Sequence, residues 1–155
     1  MNKLSQQIGK ILADKNLTIS TCESCTGGML GSIITKTPGS STYFLGGITA
    51  YSNDVKQKIV GVQVHTLKKY GAVSAAVAEE MSSRVRRRLK TDIGLSITGI
   101  AGPTGGTKKK PVGLVFVSIA DKKNVITKRF VFKGTREHIR RRACREALLL
   151  LRCSL

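Results

Sequence analysis

Glycine and hydroxyl residues are concentrated in four short segments of this sequence, and each segment lies at the end of a predicted strand. They span residues 23–28, 38–41, 51–56 and 98–103. In open α/β sheets, ligands bind beyond the carboxyl ends of the strands. A turn explains any one segment, because turns need Gly, Ser, Asn and Pro. Four such segments together predict the walls of a ligand site.

Ser41 and Lys56 are candidates for a nucleophile and its base. A serine hydroxyl attacks poorly until a neighbouring base removes its proton. Only two histidines occur, neither in a usable triad, and a lysine can replace histidine when its pKa is lowered. The predicted N-cap Asn53 puts Lys56 in a first helical turn, where the helix dipole disfavours the charged amine by only about 0.3–1 kcal/mol. Burial must therefore supply most of the activation.

The turn around Ser41 would offer backbone N–H groups to an oxyanion. The residues alone do not distinguish Lys56 from Lys58, and an exposed helix lysine is the alternative interpretation.

Gly27 and Gly28 open a predicted helix and form a turn rich in N–H donors, which suits a phosphate group. The alternative is close packing of the helix start against the preceding strand. Glu23, just past that strand, is a candidate partner for a substrate hydroxyl or amide. The same side chain is equally suited to capping the following turn.

Cys22 and Cys25 form a Cys-x-x-Cys pair, a pattern found in thiol redox sites and in half of a zinc site. No second pair follows at metal-ligand spacing, since Cys144 and Cys153 lie nine residues apart in a helical pattern. Neither histidine has a recognisable ligand spacing. We therefore expect no bound metal and reduced thiols.

Hydrophobic periodicity alternates between helix and strand along the whole chain. Helices are predicted from the amino terminus to before residue 16, then over 26–36, 53 to about 60, 75–90 and 135 to about 152. Strands are predicted over 17–22, 46–52, 93–98, 112–120 and 125–132, the last two joined as a hairpin. This order predicts an α/β fold: one domain over 1–155, a three-layer α/β/α sandwich around a mixed sheet.

The charge is strongly positive: 27 Lys and Arg face nine Asp and Glu, a net charge of +18 over 155 residues. Such a balance favours anionic partners, although a general bias of the source towards basic residues is the alternative. Dense basic clusters at 84–90 and 128–152 suggest a weak contact with nucleic acid. Against a dedicated nucleic-acid module, the chain has no Trp and only 5% aromatic residues, so base stacking is poorly provided for.

Neither a signal peptide nor an apolar run of transmembrane length is recognised. The sequence therefore predicts a cytoplasmic protein with no membrane partner. A homodimer is the expected assembly of a small metabolic enzyme.

The same segments resemble the CinA C-terminal domain family, and the resemblance spans the chain from its first helix to its last. Eight pieces match in order and spacing. They are Glu23-Ser-Cys-Thr-Gly-Gly28, Gly39-Ser-Ser41, Tyr51-Ser-Asn53, Lys56, Gly71-Ala-Val-Ser74, Gly99-Ile-Ala-Gly-Pro103, Lys110-Pro-Val-Gly113, and Arg136 with Arg140. Many members carry an additional amino-terminal domain, so this sequence is similar to the stand-alone form, whose members are nicotinamide mononucleotide deamidases.

The resemblance implies a three-layer fold and hydrolysis of nicotinamide mononucleotide (NMN) to nicotinic acid mononucleotide and ammonia, without metal or organic cofactor. It implies Ser41 as nucleophile and Lys56 as base, meeting in one pocket, with Tyr51 and Thr98 as supporting hydroxyls. The residues expected to bind substrate are Glu23, Ser24, Thr26, Gly27, Gly28, Arg136 and Arg140. A catalytically silent relative that acts as a scaffold is the alternative, since fold similarity does not establish activity.

Overall fold

Five strands form one mixed sheet in the computed structural model, which describes all residues 1–155. They are β1 (Ile19–Glu23), β2 (Phe44–Thr49), β3 (Ile93–Gly99), β4 (Leu114–Ala120) and β5 (Val125–Val131). Their order across the sheet is β2-β1-β3-β4-β5. Strands β2, β1 and β3 run parallel, whereas β4 and β5 are added antiparallel. The carboxyl ends of the three parallel strands therefore meet at one edge of the sheet.

Helices cover both faces of this sheet. They are α1 (Asn2–Asp14), α2 (Met29–Thr35), α3 (Asn53–Val55), α4 (Val64–Tyr70), α5 (Ala75–Arg88) and α6 (Arg136–Ser154). Helices α1, α2 and α6 pack together on one face, and α5 lies on the other with α4 beside it. The predicted α/β fold is confirmed. None of the six helices combines the length and the apolar character that a membrane crossing requires.

Two hydrophobic clusters fill the spaces between the layers. The larger contains 21 buried residues and joins the sheet to α1, α2 and α6. The smaller contains seven buried residues and joins the sheet to α5 and to the segment after β2. Strand β1 is buried along its whole length because it lies between β2 and β3 and is covered on both faces.

Local structure differs from the prediction mainly around β2. The predicted strand 46–52 begins at Phe44 and ends at Thr49, level with the end of β1 at Glu23. The predicted helix from residue 53 is α3 continued by a wide π-turn over Lys56–Val60. Helix α4 was not predicted, because its seven residues are too short to give a clear periodicity.

Helix α5 lies so close to β3 that residue 94 has no room for a side chain. A Cβ added to Gly94 would collide with the carbonyl oxygen of Ser82 and lie 2.8 Å from the Cβ of Arg86. We expect Gly94→Ala to lower the free energy of unfolding by about 1–3 kcal/mol, the usual cost of overpacking. Urea denaturation measures this. Gly31→Ala is the matched control, since its nearest contact would be an ordinary 3.5 Å from Phe44. Equal losses in the two variants would contradict the packing argument.

Candidate functional site

A cleft of about 270 Å³ opens at the carboxyl edge of the parallel strands. Its walls come from five segments: the residues after β1, after β2 and after β3, the loop before α5, and the first turn of α6. The residues with polar side chains in these walls are Ser24, Tyr51, Asn53, Lys56, Thr98, Thr104 and Arg136. Three of the four segments singled out in the sequence therefore meet here, and only 38–41 is absent.

Lys56 is the central charged group of this cleft, and its side chain is only 1% exposed. The Ser52 hydroxyl caps α3 by accepting the N–H of Val55, and the π-turn begins at Lys56 itself. The Nζ atom lies 2.9 Å from the Oγ of Ser24 and 2.7 Å from the carbonyl oxygen of Ala50. The buried amine therefore forms a direct hydrogen bond with a serine hydroxyl at the edge of the sheet.

Burial lowers the pKa of Lys56 below the usual lysine value of 10.5. The thiols of Cys22 and Cys25 would oppose this shift only if they were ionised. Burial also raises the pKa of Cys22 to about 12 and that of Cys25 to about 11, so both thiols are protonated near neutral pH. The environment of Lys56 therefore increases the fraction of neutral amine, the form that can act as a base, relative to an ordinary lysine.

The neighbours of Nζ determine how a neutral amine would be oriented. The Ala50 carbonyl oxygen, and that of Tyr51 at a longer 3.5 Å, can only accept hydrogen bonds. A neutral amine has two N–H donors and one lone pair. With its donors directed to the two carbonyls, the lone pair is left for the Ser24 hydroxyl, whose proton it can then accept.

Ser24, not Ser41, is the serine beside Lys56, so the predicted pairing of Ser41 with Lys56 is wrong. Ser41 is exposed in a short turn, Ser40–Thr42, that precedes β2. Lys56 follows the other end of the same strand. The strand between them has six residues at about 3.3 Å each and is therefore about 20 Å long. Ser24 follows β1 directly and therefore shares the carboxyl edge with Lys56.

The backbone after Ser24 offers two unused donors. The N–H of Ser24 bonds to the carbonyl of Ile97, and the N–H of Gly27 bonds to the carbonyl of Ser24. The N–H groups of Cys25 and Thr26 lie between these two bonds and donate to no backbone carbonyl. Unpaired backbone donors beside a nucleophile can bind the negative charge that develops on a substrate oxygen.

Glu23 does not face the cleft, contrary to its predicted role in binding substrate. Its carboxylate is 2% exposed and accepts the N–H groups of Gly28, Leu30 and Gly31 at 2.8–3.1 Å. These N–H groups lie at the start of α2, where no carbonyl within the helix can accept their hydrogen bonds. Of the two alternatives left open by the sequence, the structure supports capping.

Arg136 connects two walls at the mouth of the cleft. Its guanidinium donates to the carbonyl of Gly102 and to the hydroxyl of Tyr51, each at 2.7 Å. The Tyr51 side chain is 58% exposed and presents its ring to solvent beside the opening. Thr98 is buried at the base, and its hydroxyl donates to the carbonyl of Ala72 at 2.8 Å. Thr98 therefore fixes the loop before α5.

The comparison with known proteins agrees with this geometry. The model of the CinA C-terminal domain matches residues 1–155, the whole chain. The chain belongs to the CinA C-terminal domain family. A solved structure of the competence/damage inducible protein CihA from Agrobacterium tumefaciens superposes with a TM-score of 0.96 at 35% identity, covering 98% of this chain and 93% of that one. A CinA superfamily protein from Escherichia coli also gives 0.96 at 32% identity, over 99% and 90% of the two chains.

Relatives of greater length contain the same CinA domain. A protein from Halothermothrix orenii, described as competence-damage inducible, is 55% identical over 134 residues, which is 86% of this chain and 32% of that protein. The chain spans about a third of the length of the curated relatives it matches. The predicted family membership is confirmed.

In this CinA domain, the remaining predicted substrate-binding residues hold the 23–28 segment in place. Arg140 donates to the carbonyl of Thr26 at 2.7 Å and lies outside the cleft. The Thr26 hydroxyl is buried and turned away from the opening. Gly27 and Gly28 adopt positive φ angles of 59° and 91°, and the N–H of Gly28 is occupied by Glu23. Thr26, Gly27 and Gly28 therefore build the turn and Arg140 supports it, and none of the four lines the cleft. Their contact with a substrate stays a prediction.

The two thiols of the Cys-x-x-Cys pair lie on opposite faces of the sheet. Cys22 belongs to the smaller core cluster and Cys25 to the larger one. All four cysteines of the CinA domain are free thiols. No three His, Cys, Asp or Glu side chains are arranged to hold a metal ion.

The Glu23 cap gives a stability prediction for the CinA domain. In Glu23→Gln, one oxygen is replaced by an NH₂ group that meets a backbone N–H donor. We expect the free energy of unfolding to fall by about 2–3 kcal/mol, since a buried donor is left unpaired and hydrogen bonds to a charged group are lost. Urea denaturation measures the loss. Glu137→Gln, whose carboxylate is half-exposed in surface ion pairs, is the control and should change stability by less than about 1 kcal/mol. A loss in Glu23→Gln no larger than in the control would contradict the capping role.

Proposed function

We propose that this CinA domain is an amidohydrolase that converts NMN to nicotinic acid mononucleotide and ammonia, with Ser24 as nucleophile and Lys56 as base. One observation carries the proposal: a buried lysine amine, its pKa lowered, lies 2.9 Å from a serine hydroxyl in an open cleft. A structural role alone would not require a lysine whose charged form is disfavoured by its own surroundings.

In the first half-reaction, the amine of Lys56 removes the hydroxyl proton of Ser24, and Oγ attacks the carboxamide carbon. The negative charge moves to the carboxamide oxygen, where the N–H groups of Cys25 and Thr26 are available to stabilise it. The protonated Lys56 then gives its proton to the leaving nitrogen. Ammonia departs, and an ester links the nicotinoyl carbon to Ser24.

In the second half-reaction, the neutral amine of Lys56 takes a proton from water, and the resulting hydroxide attacks the ester carbon. The intermediate collapses, Oγ of Ser24 leaves and recovers its proton from Lys56, and the acid product is released. Each proton taken by Lys56 is returned within its half-reaction, so the enzyme ends unchanged.

The nucleotide substrate is supported by the mouth of the cleft. Arg136 supplies a guanidinium suited to a phosphate, and the exposed ring of Tyr51 offers an aromatic face to the cationic pyridinium ring. The volume of about 270 Å³ is open to solvent at this end, so a ribose phosphate can extend outward while the carboxamide reaches Ser24. The family resemblance favours the same substrate.

The test is incubation of the purified protein with NMN, followed by assay of ammonia and nicotinic acid mononucleotide. We expect equal amounts of the two products. Acid-quenched samples should also contain a protein species heavier by the acyl nucleotide, attached to the peptide that contains Ser24. Absence of ammonia release would contradict the proposal and favour a silent scaffold. Release of ammonia without an acyl-protein species under any condition would contradict the covalent step alone.

A further inference from the structure

Three clefts along the outer side of α5 share one residue, Arg87. Their volumes are about 370, 370 and 220 Å³. Because Arg87 lines all three, they form one continuous furrow from the end of the π-turn, past the last turns of α5, to the turn between β4 and β5. We call its cations the α5 basic face: Arg84, Arg86, Arg87, Arg88, Lys122 and Lys123.

The cations at the centre of this face are oriented but not neutralised. Arg86, Arg87 and Arg88 each donate one N–H to a backbone carbonyl, at 3.1–3.3 Å. None of the three forms a salt bridge, and neither do Lys122 and Lys123. Each guanidinium therefore has a fixed direction and keeps further N–H donors free, which is the arrangement that binds phosphate oxygens in pairs.

The carboxylates of the furrow are largely engaged in local structure. Glu80 pairs with Arg84 at 3.2 Å and also accepts the hydroxyl of Thr66. Asp121 accepts the N–H groups of Lys123 and Asn124 and so holds the turn between the two strands. The cleft at that turn is lined by four cations and by this single carboxylate. The cations are Arg86, Arg87, Lys122 and Lys123. The cleft beside α4 balances Arg84 and Arg87 against Glu79 and Glu80. The excess of positive charge therefore lies in the other two clefts, at the turn between β4 and β5 and at the end of the π-turn.

We propose that the α5 basic face binds the phosphate backbone of duplex nucleic acid, independently of base sequence. Arg84 and Arg88 lie one helical turn apart, about 6 Å along the axis, and the two turn lysines line the neighbouring cleft, which shares Arg87. This spread exceeds one small anion and suits a chain of phosphates. The face is concave and mostly polar, unlike a surface that inserts into a membrane. Tyr70 is the only aromatic residue that lines the furrow, so contacts to the backbone must supply most of the affinity.

The end of the furrow that carries Arg87, Lys122 and Lys123 lies at the opposite end of the sheet from the candidate active site. The last turn of α5 precedes the start of β3, and the turn between β4 and β5 lies beside that same start, since Gly94 pairs with Ala120. The cleft of Ser24 and Lys56 lies at the carboxyl end. Nucleic-acid binding can therefore be removed without altering NMN hydrolysis.

The experiment measures binding of the whole protein to a short fluorescent DNA duplex of mixed sequence over a range of salt concentrations. A triple variant carries Arg87→Gln, Lys122→Gln and Lys123→Gln. The matched control carries Arg141→Gln, Arg145→Gln and Arg152→Gln, which removes the same charge from exposed positions of α6 on the opposite face. Loss of three phosphate contacts should reduce the slope of log K against log salt by about 2.7 and weaken binding ~10-fold or more, while the control keeps the slope of the parent.

Equal loss of slope in the two triple variants would mean that net charge, not this face, determines binding, and would overturn the proposal. So would a parent protein without salt-dependent duplex binding. Competition by inorganic pyrophosphate at concentrations similar to the duplex phosphate would indicate a small-anion site instead. Preferential binding to vesicles of anionic lipid, unaffected by duplex, would indicate a membrane surface. Unchanged thermal melting of both variants verifies that they fold.

Discussion

Ser24→Ala is expected to abolish release of ammonia from NMN, with a loss of at least about 10³-fold in kcat. The hydroxyl is the only group that the proposed mechanism joins covalently to the substrate, and no other serine contacts the amine of Lys56. The alanine side chain fits the space left by serine, so stability and substrate affinity should change little. Steady-state assay of ammonia measures the first effect, and titration with NMN measures the second.

Ser41→Ala is the matched control for this experiment. Ser41 is exposed in the turn before β2, and we expect its variant to keep the activity of the parent within a factor of about two, as surface substitutions away from a site usually do. Loss of activity in Ser41→Ala with retention in Ser24→Ala would reverse the assignment and would require a different location for the active site.

The second large effect concerns Lys56 and pH. Only the neutral amine can accept the proton of Ser24, so kcat/KM should rise about tenfold per pH unit below the pKa of Lys56 and level off above it. Because burial lowers that pKa, the plateau should begin below the ordinary lysine value of 10.5. A profile without a rise at any pH at which the protein stays folded, or one that rises only above the ordinary value, would contradict Lys56 as the base.

Lys56→Met should lose at least about 10³-fold in kcat, since the base is absent at every pH. Lys58→Met is the control: Lys58 is exposed and pairs only with Asp54 on the helix surface, so activity should remain. Full activity in Lys56→Met would remove the mechanism.

Comparison of the parent with Lys56→Met also measures the effect of the buried amine on stability. Lys56 in the folded protein releases its proton at a pH where the unfolded chain still holds it. The stability of the parent therefore rises with pH between the lowered pKa and the ordinary one, and Lys56→Met should lack this rise. Urea denaturation at several pH values measures it. An identical pH dependence in parent and Lys56→Met would indicate an unshifted lysine.

Much of the fold could be predicted from the sequence, because apolar periodicity records which side of each element is buried. The prediction failed where tertiary contacts decide the local structure. The end of β2 is set by the end of its partner β1, and the π-turn at Lys56 is not marked by any residue type. Helix α4 is too short for periodicity to reveal.

The location of the cleft could also be predicted, but the serine beside Lys56 could not, since it is Ser24 and not Ser41. The turn containing Ser41 has the same glycine and hydroxyl residue types as the other three segments, but it precedes a strand. In a parallel sheet, a residue before a strand and a residue after it lie at opposite edges. Ser24 follows the predicted strand 17–22 almost directly, as Lys56 follows β2, and this shared position after a strand was the available signal.

The adjacency of Glu23 and Ser24 has a consequence for comparing members of this family. In this chain the glutamate closes the first turn of α2, whereas the serine is needed only for the proposed reaction. Retention of the glutamate in a homologue therefore indicates that the start of α2 is kept. Retention of the serine beside it indicates that the proposed reaction is possible. A homologue that keeps the first and has lost the second would be a well-folded protein without hydrolytic activity.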